Sequence, residues 1–307
     1  MITLRDFDSL SLRDLQCEDL ALEYLSILLK HGELALLLGS GVSKGLGLPN
    51  WDELVAGCET AVGIVPSEGR SSQALMKAID TVRREFSKHH AANDLQSLVR
   101  TNLYPQAYLD AGEYPQGIMS NRMLIAIGAI VMASSRGSVG DVFTLNFDDV
   151  LEWYLHLHGY KTQVVSDFPT YLRGDVDVTV FHPHGFLPLV EKTYPKSEWL
   201  VLSYSDLISR LSASADTPWP TLLGSRFLSK RFLAIGTSMN DVDIDVHLAR
   251  AKRDVGGRGL LGFVLTSGLR QDRAEELMEI GLVPISVDSF ERIPSFILNV
   301  CRKAAAL

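Results

Sequence analysis

The sequence of 307 residues has little cysteine, no long apolar run and no excess of positive charge. Its three cysteines, Cys17, Cys58 and Cys301, are widely spaced and form no CxxC pair, which excludes the usual zinc-binding and dithiol redox patterns. Buried, reduced thiols are the favoured interpretation. We therefore expect no bound metal.

The longest apolar run, residues 123–133, is much shorter than the roughly 20 residues of a membrane-spanning helix. Residues 1–20 mix acidic and basic side chains with apolar ones, unlike a secretion signal. These features predict a cytoplasmic protein with no membrane partner. The 29 Lys and Arg against 37 Asp and Glu give a formal net charge of -8, which argues against direct nucleic-acid binding.

Short runs of aliphatic and β-branched residues alternate with helix-length amphipathic segments. This alternation predicts an α/β fold with a mostly parallel sheet and helices on both faces. The 46% of hydrophobic residues is ample for such a core. The expected strands are residues 34–38, 142–145, 178–182, 232–235, 262–266 and 283–287.

About a hundred residues separate the first two expected strands, which is too long for a single crossover helix. Helical patterns occur at residues 74–87, 95–103 and 121–133. We expect one domain over residues 1–307, with a helical insert at about residues 60–135 that packs over the ligand side of the sheet. Neither a repeat nor a Pro-rich linker suggests a second domain.

A glycine-rich turn, Gly39-Ser40-Gly41-Val42-Ser43, follows the first expected strand. Glycine lets the backbone approach a pyrophosphate closely, and Ser40 and Ser43 add hydroxyl donors. The alternative is a simple strand-to-helix connection. A dinucleotide-binding dehydrogenase is the weaker interpretation, because Lys44 stands where its fingerprint requires a third glycine.

Three later strands also end in residues that suit a ligand site: Asn146 and Asp148, then His184 with Gly185, and then Gly236, Thr237 and Ser238. Parallel sheets bind ligands beyond the carboxyl ends of their strands, so these residues are expected to meet. Each has a simpler alternative, since Asn146 or Asp148 also suits a helix cap. His182 is a rival to His184, because alternate residues of a strand share a face.

Taken together and in this order, the four motifs resemble those of the sirtuin superfamily. Residues 39–43 resemble its Gly-Ala-Gly-x-Ser turn, and residues 144–148 resemble its Thr-x-Asn-x-Asp segment. His184-Gly185 resembles the catalytic His-Gly pair, and residues 236–238 are identical to its Gly-Thr-Ser. The resemblance implies a Rossmann-like sheet and NAD as substrate.

The resemblance also implies roles for these residues. Gly39, Ser40, Gly41 and Ser43 would hold the NAD pyrophosphate, while Gly236, Thr237 and Ser238 would hold the adenosine ribose and phosphate, with Asp288 a further match for the adenosine half. Asn146 and Asp148 would position the nicotinamide ribose or a water, and His184 would be the base. Cleavage of the nicotinamide bond passes through an oxocarbenium-like sugar, which suits these residue types.

Sirtuin deacylases hold a structural zinc with two cysteine pairs between their His-Gly and Gly-Thr-Ser motifs, but residues 186–235 contain no cysteine. This departure and the helical insert are similar to bacterial sirtuin-like NAD hydrolases (NADases) of anti-phage defence, which lack the zinc ribbon. The resemblance implies a homo-oligomer, or control by a partner sensor or a hexameric ATPase of the DNA-translocase type. A lysine deacylase and a catalytically silent NAD or ADP-ribose binding module remain the alternatives.

Overall fold

In the computed structural model, seven parallel strands form one sheet. The structure describes residues 10–88, 95–167, 170–191, 194, 196–197, 199–212, 219–237, 239, 248, 251–253 and 259–307. The strand order is β3-β4-β2-β1-β5-β6-β7. The strands are β1 Leu34–Leu38, β2 Asp141–Thr144, β3 Thr162–Val165, β4 Val178–Phe181, β5 Arg231–Ile235, β6 Gly262–Thr266 and β7 Leu282–Ser286.

This sheet confirms the predicted α/β fold. All six expected strands are present, and each of their ends lies within one residue of the predicted position. Sequence patterning missed β3, which is the edge strand next to β4 and has three half-buried residues out of four. A short, partly polar edge strand lacks the continuous apolar run that marks the buried strands of a parallel sheet.

The described α-helices surround this sheet. Their bounds are α1 Glu18–Lys30, α2 Trp51–Ala61, α3 Ser72–Phe86, α4 Leu95–Leu103, α5 Gln106–Ala111, α6 Arg122–Val131, α7 Val150–Leu157, α8 Tyr204–Ser212, α9 Trp219–Ser229, α10 Gln271–Glu279 and α11 Ile293–Ala306. Helices α2 to α6 all lie between β1 and β2. Among the described residues, no helix is long and apolar enough to cross a membrane.

Two apolar cores lie on opposite faces of the sheet, because side chains alternate along each strand. Leu36 of β1 packs into the core that contains residues of α1, α6 and α11. Leu37 packs into the other core, with Phe227 of α9 and Leu277 of α10. The predicted arrangement of helices on both faces is thereby confirmed.

Strand β1 lies at the centre of the sheet, with β2 on one side and β5 on the other. The chain first adds strands on the β2 side and then returns to add β5, β6 and β7. The loops that leave β1 and β5 therefore stand next to each other at the point where the strand order reverses. Open α/β sheets have their ligand crevice at this point.

The Phe143→Ala substitution should destabilise the fold strongly. The Phe143 and Phe181 rings are fully buried and stacked, with centroids 4.6 Å apart. Truncation leaves a cavity, so we expect the free energy of unfolding in urea to fall by about 3–5 kcal/mol. Phe290 is 39% exposed, and Phe290→Ala should change the same quantity by no more than about 0.5 kcal/mol. Equal losses in the two variants would contradict the assigned core.

Candidate functional site

Three glycines bring the loops after β1 and β5 into direct contact. The Gly39 N–H donates to the Ile235 carbonyl at 3.0 Å, and the Gly41 N–H donates to the Gly236 carbonyl at 2.9 Å. A Cβ on Gly39 would lie 2.6 Å from the Gly236 carbonyl oxygen. Gly236 has a φ of +68°, and a Cβ there would lie 2.9 Å from the Val42 nitrogen. Only glycine permits this approach.

Most backbone donors of the glycine turn are used inside the protein. Besides Gly39 and Gly41, the Val42 N–H donates to the Gly39 carbonyl at 3.0 Å, and the Ser43 N–H donates to the Ser40 carbonyl at 3.1 Å. The glycines therefore join the two loops, and the contact itself uses the backbone N–H groups of Gly39 and Gly41.

Asn146 ties the loop after β2 to the same turn. Its side-chain amide donates to the Gly39 carbonyl and to the Ser43 hydroxyl, both at 3.2 Å. The Ser43 hydroxyl in turn donates to the Asp148 carboxylate, 3.0 and 3.1 Å from its two oxygens. Asp148 also accepts from the N–H of Val150, the first residue of α7, at 3.2 Å, although the N-cap position itself is Asp149.

Two neighbouring carboxyl groups lie buried beneath this network. Burial raises the pKa of Asp148 to about 7, although its hydrogen bond from Ser43 works in the opposite direction. Burial raises the pKa of Asp149 to about 6. Asp149 accepts hydrogen bonds from the hydroxyls of Tyr104 and Tyr114 at 3.0 and 2.8 Å, and from the Leu189 N–H at 3.0 Å.

The two candidate histidines after β4 occupy different surroundings. One His182 ring nitrogen lies 2.7 Å from the Glu152 carboxylate, and the other lies 3.0 Å from the Asn146 carbonyl oxygen. His182 is fully buried and does not line the cavity described below. His184 does line it. The chain turns over residues 182–185, where the Gly185 N–H donates to the His182 carbonyl at 3.0 Å, and the Gly185 φ of +97° favours glycine.

A cavity of about 350 Å³ opens at the carboxyl ends of β1, β2, β4 and β5. Its polar wall includes residues from all four strand ends. A second part of the wall, with both apolar and charged side chains, comes from α2, α3 and their connection. The lining residues are Gly39, Ser40, Asn50, Trp51, Asp52, Arg70, Ser72, Leu75, Met76, Leu145, Asn146, Phe147, His184, Val201, Gly236 and Thr237.

The structure thus brings six of the expected site residues to one cavity, namely Gly39, Ser40, Asn146, His184, Gly236 and Thr237. Three others, Gly41, Ser43 and Asp148, lie behind the wall and support it through the contacts above. Asp288 is exposed after β7, pairs with Arg292 and does not line this cavity. Ser238 lies outside the described residues.

Sequence reasoning missed the wall formed by α2 and the segment that follows it. Asn50 caps α2 by accepting from the Glu53 N–H at 2.9 Å, and the Glu53 carboxylate accepts from the Asn50 N–H at 2.8 Å. This capping box places Trp51 and Asp52 in the first turn, at the cavity. Its Asn-x-x-Glu spacing is visible in the sequence, but the spacing indicates only a helix start.

Residues 141–285, just under half of the chain, match a family model described as the SIR2-like domain. This match supports a sirtuin-like relationship for the part of the chain that carries Asn146, His184 and Gly236. A solved structure described as Sir2 homologues, a mutant in complex with 2'-O-acetyl ADP ribose, is similar to this chain at 13% identity and a TM-score of 0.41. That similarity covers 89% of this chain and 93% of the other. No curated protein sequence matches the chain.

Removing the buried Asp148 carboxyl should change how stability depends on pH. The folded-state pKa is about 7 against an ordinary value of 3.8, so between about pH 4 and pH 7 the folded protein keeps a proton that the unfolded chain releases. Raising the pH through this window therefore costs the wild type stability, and Asp148→Asn lacks this cost. We expect the urea-unfolding free energy of Asp148→Asn to rise relative to wild type from about pH 4 to pH 7 and then to level off.

The matched control is Asp175→Asn. Asp175 is exposed, and its hydrogen bond from Arg173 lowers its pKa, so it is ionised in both states across the same window. A stability difference between Asp148→Asn and wild type that stays constant between pH 4 and pH 7 would contradict the raised pKa of Asp148.

Proposed function

We propose that this chain is an NAD⁺ hydrolase that cleaves the bond between nicotinamide and ribose. The observation that carries the proposal is the single cavity that joins the glycine turn, Asn146, His184 and Gly236-Thr237 at the reversal point of the sheet. This position suits a dinucleotide, and the SIR2-like match over residues 141–285 favours NAD.

In the proposed reaction, the bond from C1' of the ribose to the nicotinamide nitrogen breaks, and its electron pair neutralises the pyridinium ring. The ribose becomes oxocarbenium-like, and water adds to C1'. His184 takes the proton that the water releases. The products are nicotinamide, ADP-ribose and a proton, so atoms and charge balance without any redox partner.

The remaining residues orient the substrate in this proposal. Gly39, Ser40 and Gly236-Thr237 take the pyrophosphate and adjacent ribose, and Asn146 contacts the nicotinamide ribose or the attacking water. Asn146 is well suited to positioning, because hydrogen bonds to the Gly39 carbonyl and the Ser43 hydroxyl fix its amide. Asp148 acts through Ser43 as a positioning residue.

Water is the proposed acceptor in place of an acyl-lysine. The segment of residues 186–235 offers no cysteines for the zinc module that accompanies the peptide cleft of sirtuin deacylases. The cavity wall next to His184 is also occupied, because Met76 of α3 packs against Val201 and Leu207 in one apolar cluster.

Replacing the proposed base should abolish turnover while the fold is retained. We expect His184→Ala to lower the rate of nicotinamide release from NAD by about 10²–10⁴-fold, in the range typical of a lost general base. Asn146→Ala should lower the rate by about 10²-fold through lost orientation. The measurement is nicotinamide release followed by chromatography, and His156→Ala, which alters an exposed histidine of α7, should retain full activity.

Three outcomes separate the candidate functions. Nicotinamide release that requires an acetylated peptide, with loss of the acetyl group, would overturn the hydrolase and assign a deacylase. NAD binding by the wild type without turnover, alone or with the native partner, would assign a silent binding module. Unchanged NAD loss in both variants would remove His184 and Asn146 from the mechanism.

We further propose a role as an effector of anti-phage defence by NAD depletion, controlled by oligomerisation or by a partner protein. An unrestrained NADase would harm its host, which is the reason for expecting such control. Cells that express the wild type should lose most of their NAD after infection by a restricted phage, whereas cells with His184→Ala should keep it. Equal NAD levels in the two infected cultures, at equal protein abundance, would contradict the defence role.

A further inference from the structure

A charged triad of Asp52, Glu59 and Arg70 lies in the part of the cavity wall that the sequence motifs do not include. Asp52 and Glu59 stand two turns apart on α2, and Arg70 lies in the segment between α2 and α3. Arg70 donates to Glu59 at 2.6 Å and to Asp52 at 3.0 Å, through different terminal nitrogens. Asp52 and Arg70 line the cavity.

The charges of this triad do not cancel. Arg70 and Glu59 form the shorter ion pair, and their side chains are only 9% and 8% exposed. Asp52 is 48% exposed and lines the cavity, so it is the accessible carboxylate of the triad. Two carboxylates against one guanidinium leave the triad with a net charge of -1, and the described lining contains no acidic or permanently cationic side chain besides Asp52 and Arg70.

This wall is unsuited to a phosphate. Both terminal nitrogens of Arg70 are committed to carboxylates, and the first turn of α2 is occupied by its own acidic residues, Asp52 and Glu53. A pyrophosphate placed there would meet Asp52 at close range and be repelled. NAD has one cationic group, the nicotinamide ring, and that group is the part of the substrate with complementary charge.

We propose that Asp52, held in place by Arg70 and Glu59, selects the cationic nicotinamide ring of NAD⁺ over the neutral ring of NADH. The inference rests on the proposed function, because it assumes that NAD occupies this cavity. The triad makes the site specific for the oxidised dinucleotide, the form that can release nicotinamide as a neutral leaving group. Asp52 is thus a specificity-determining residue rather than the base.

The expected change in KM and kcat follows from the movement of positive charge from the nicotinamide ring to the ribose. Asp52 attracts the ring before the bond breaks, so it contributes mainly to substrate binding. The attraction weakens as the ring loses its charge in the transition state, so Asp52→Asn should raise KM for NAD⁺ several-fold without lowering kcat. A loss confined to kcat would instead place Asp52 next to the developing charge on the ribose.

The decisive experiment measures binding of both redox forms by calorimetry, in a His184→Ala background that prevents turnover. The reference protein should bind NAD⁺ roughly tenfold more tightly than NADH, as expected for one partly screened charge pair. Adding Asp52→Asn should bring the two affinities close to each other, because it should weaken the binding of NAD⁺ and leave the binding of NADH unchanged. Asp52→Glu should restore the preference, and thermal unfolding of each variant checks the fold.

Asp272→Asn is the matched control, because it also removes one carboxylate paired with an arginine, Arg270, but on the exposed surface of α10. It should leave the ratio unchanged. Equal weakening of NAD⁺ and NADH by Asp52→Asn, or equal binding of both by the reference protein, would overturn the inference while the proposed function stands. Failure of the wild type to bind either form would overturn the proposed function itself.

Discussion

The contact between the loops after β1 and β5 is the constraint on which the site depends. Side chains at Gly39, Gly41 or Gly236 would overlap backbone atoms of the opposite loop, at separations of 2.6 to 2.9 Å. Because the loops touch, the floor of the crevice is continuous at the reversal point of the sheet. Asn146 then fixes the loop after β2 to the same turn through the Gly39 carbonyl. Three strand ends are thus held by one short segment.

This construction explains why polar groups are buried beneath the cavity. Ser43 stands between Asn146 and Asp148, accepting from the amide and donating to the carboxylate. This series of hydrogen bonds keeps the Asn146 side chain in one orientation at the cavity. Its cost is the burial of Asp148, whose raised pKa reports the unfavourable environment of its charge.

The sequence predicts well the part of this site that lies at the carboxyl ends of the strands. Parallel strands bring these ends to one edge of the sheet, whatever the positions of the helices. The sequence favours His184 over His182 only through the following Gly185 and the His-Gly resemblance, and it does not predict the buried surroundings of His182, which depend on Glu152 reaching it from α7. It also does not predict Asp52 and Arg70 at the cavity, because their place depends on how α2 packs over the sheet. Local sequence patterns indicate turns and the periodicity of buried residues. They do not indicate where a helix such as α2 packs against the sheet.

The helices between β1 and β2 are joined to the loops after β2 and β4 by more than apolar packing. Asp149, next to Asp148 in the chain, accepts from Tyr104 at the end of α4 and from Tyr114 in the segment after α5. It also accepts from the Leu189 N–H, on the segment that follows His184, and the Tyr104 hydroxyl oxygen lies 2.6 Å from the Leu187 carbonyl oxygen.

Moving either tyrosine away would leave a buried acceptor short of a donor, at a cost of about 1–3 kcal/mol for each lost partner. One carboxylate therefore couples these helices to the segments that carry both Asn146 and His184. The helices therefore cannot be displaced without that cost while the segments that carry Asn146 and His184 stay in place.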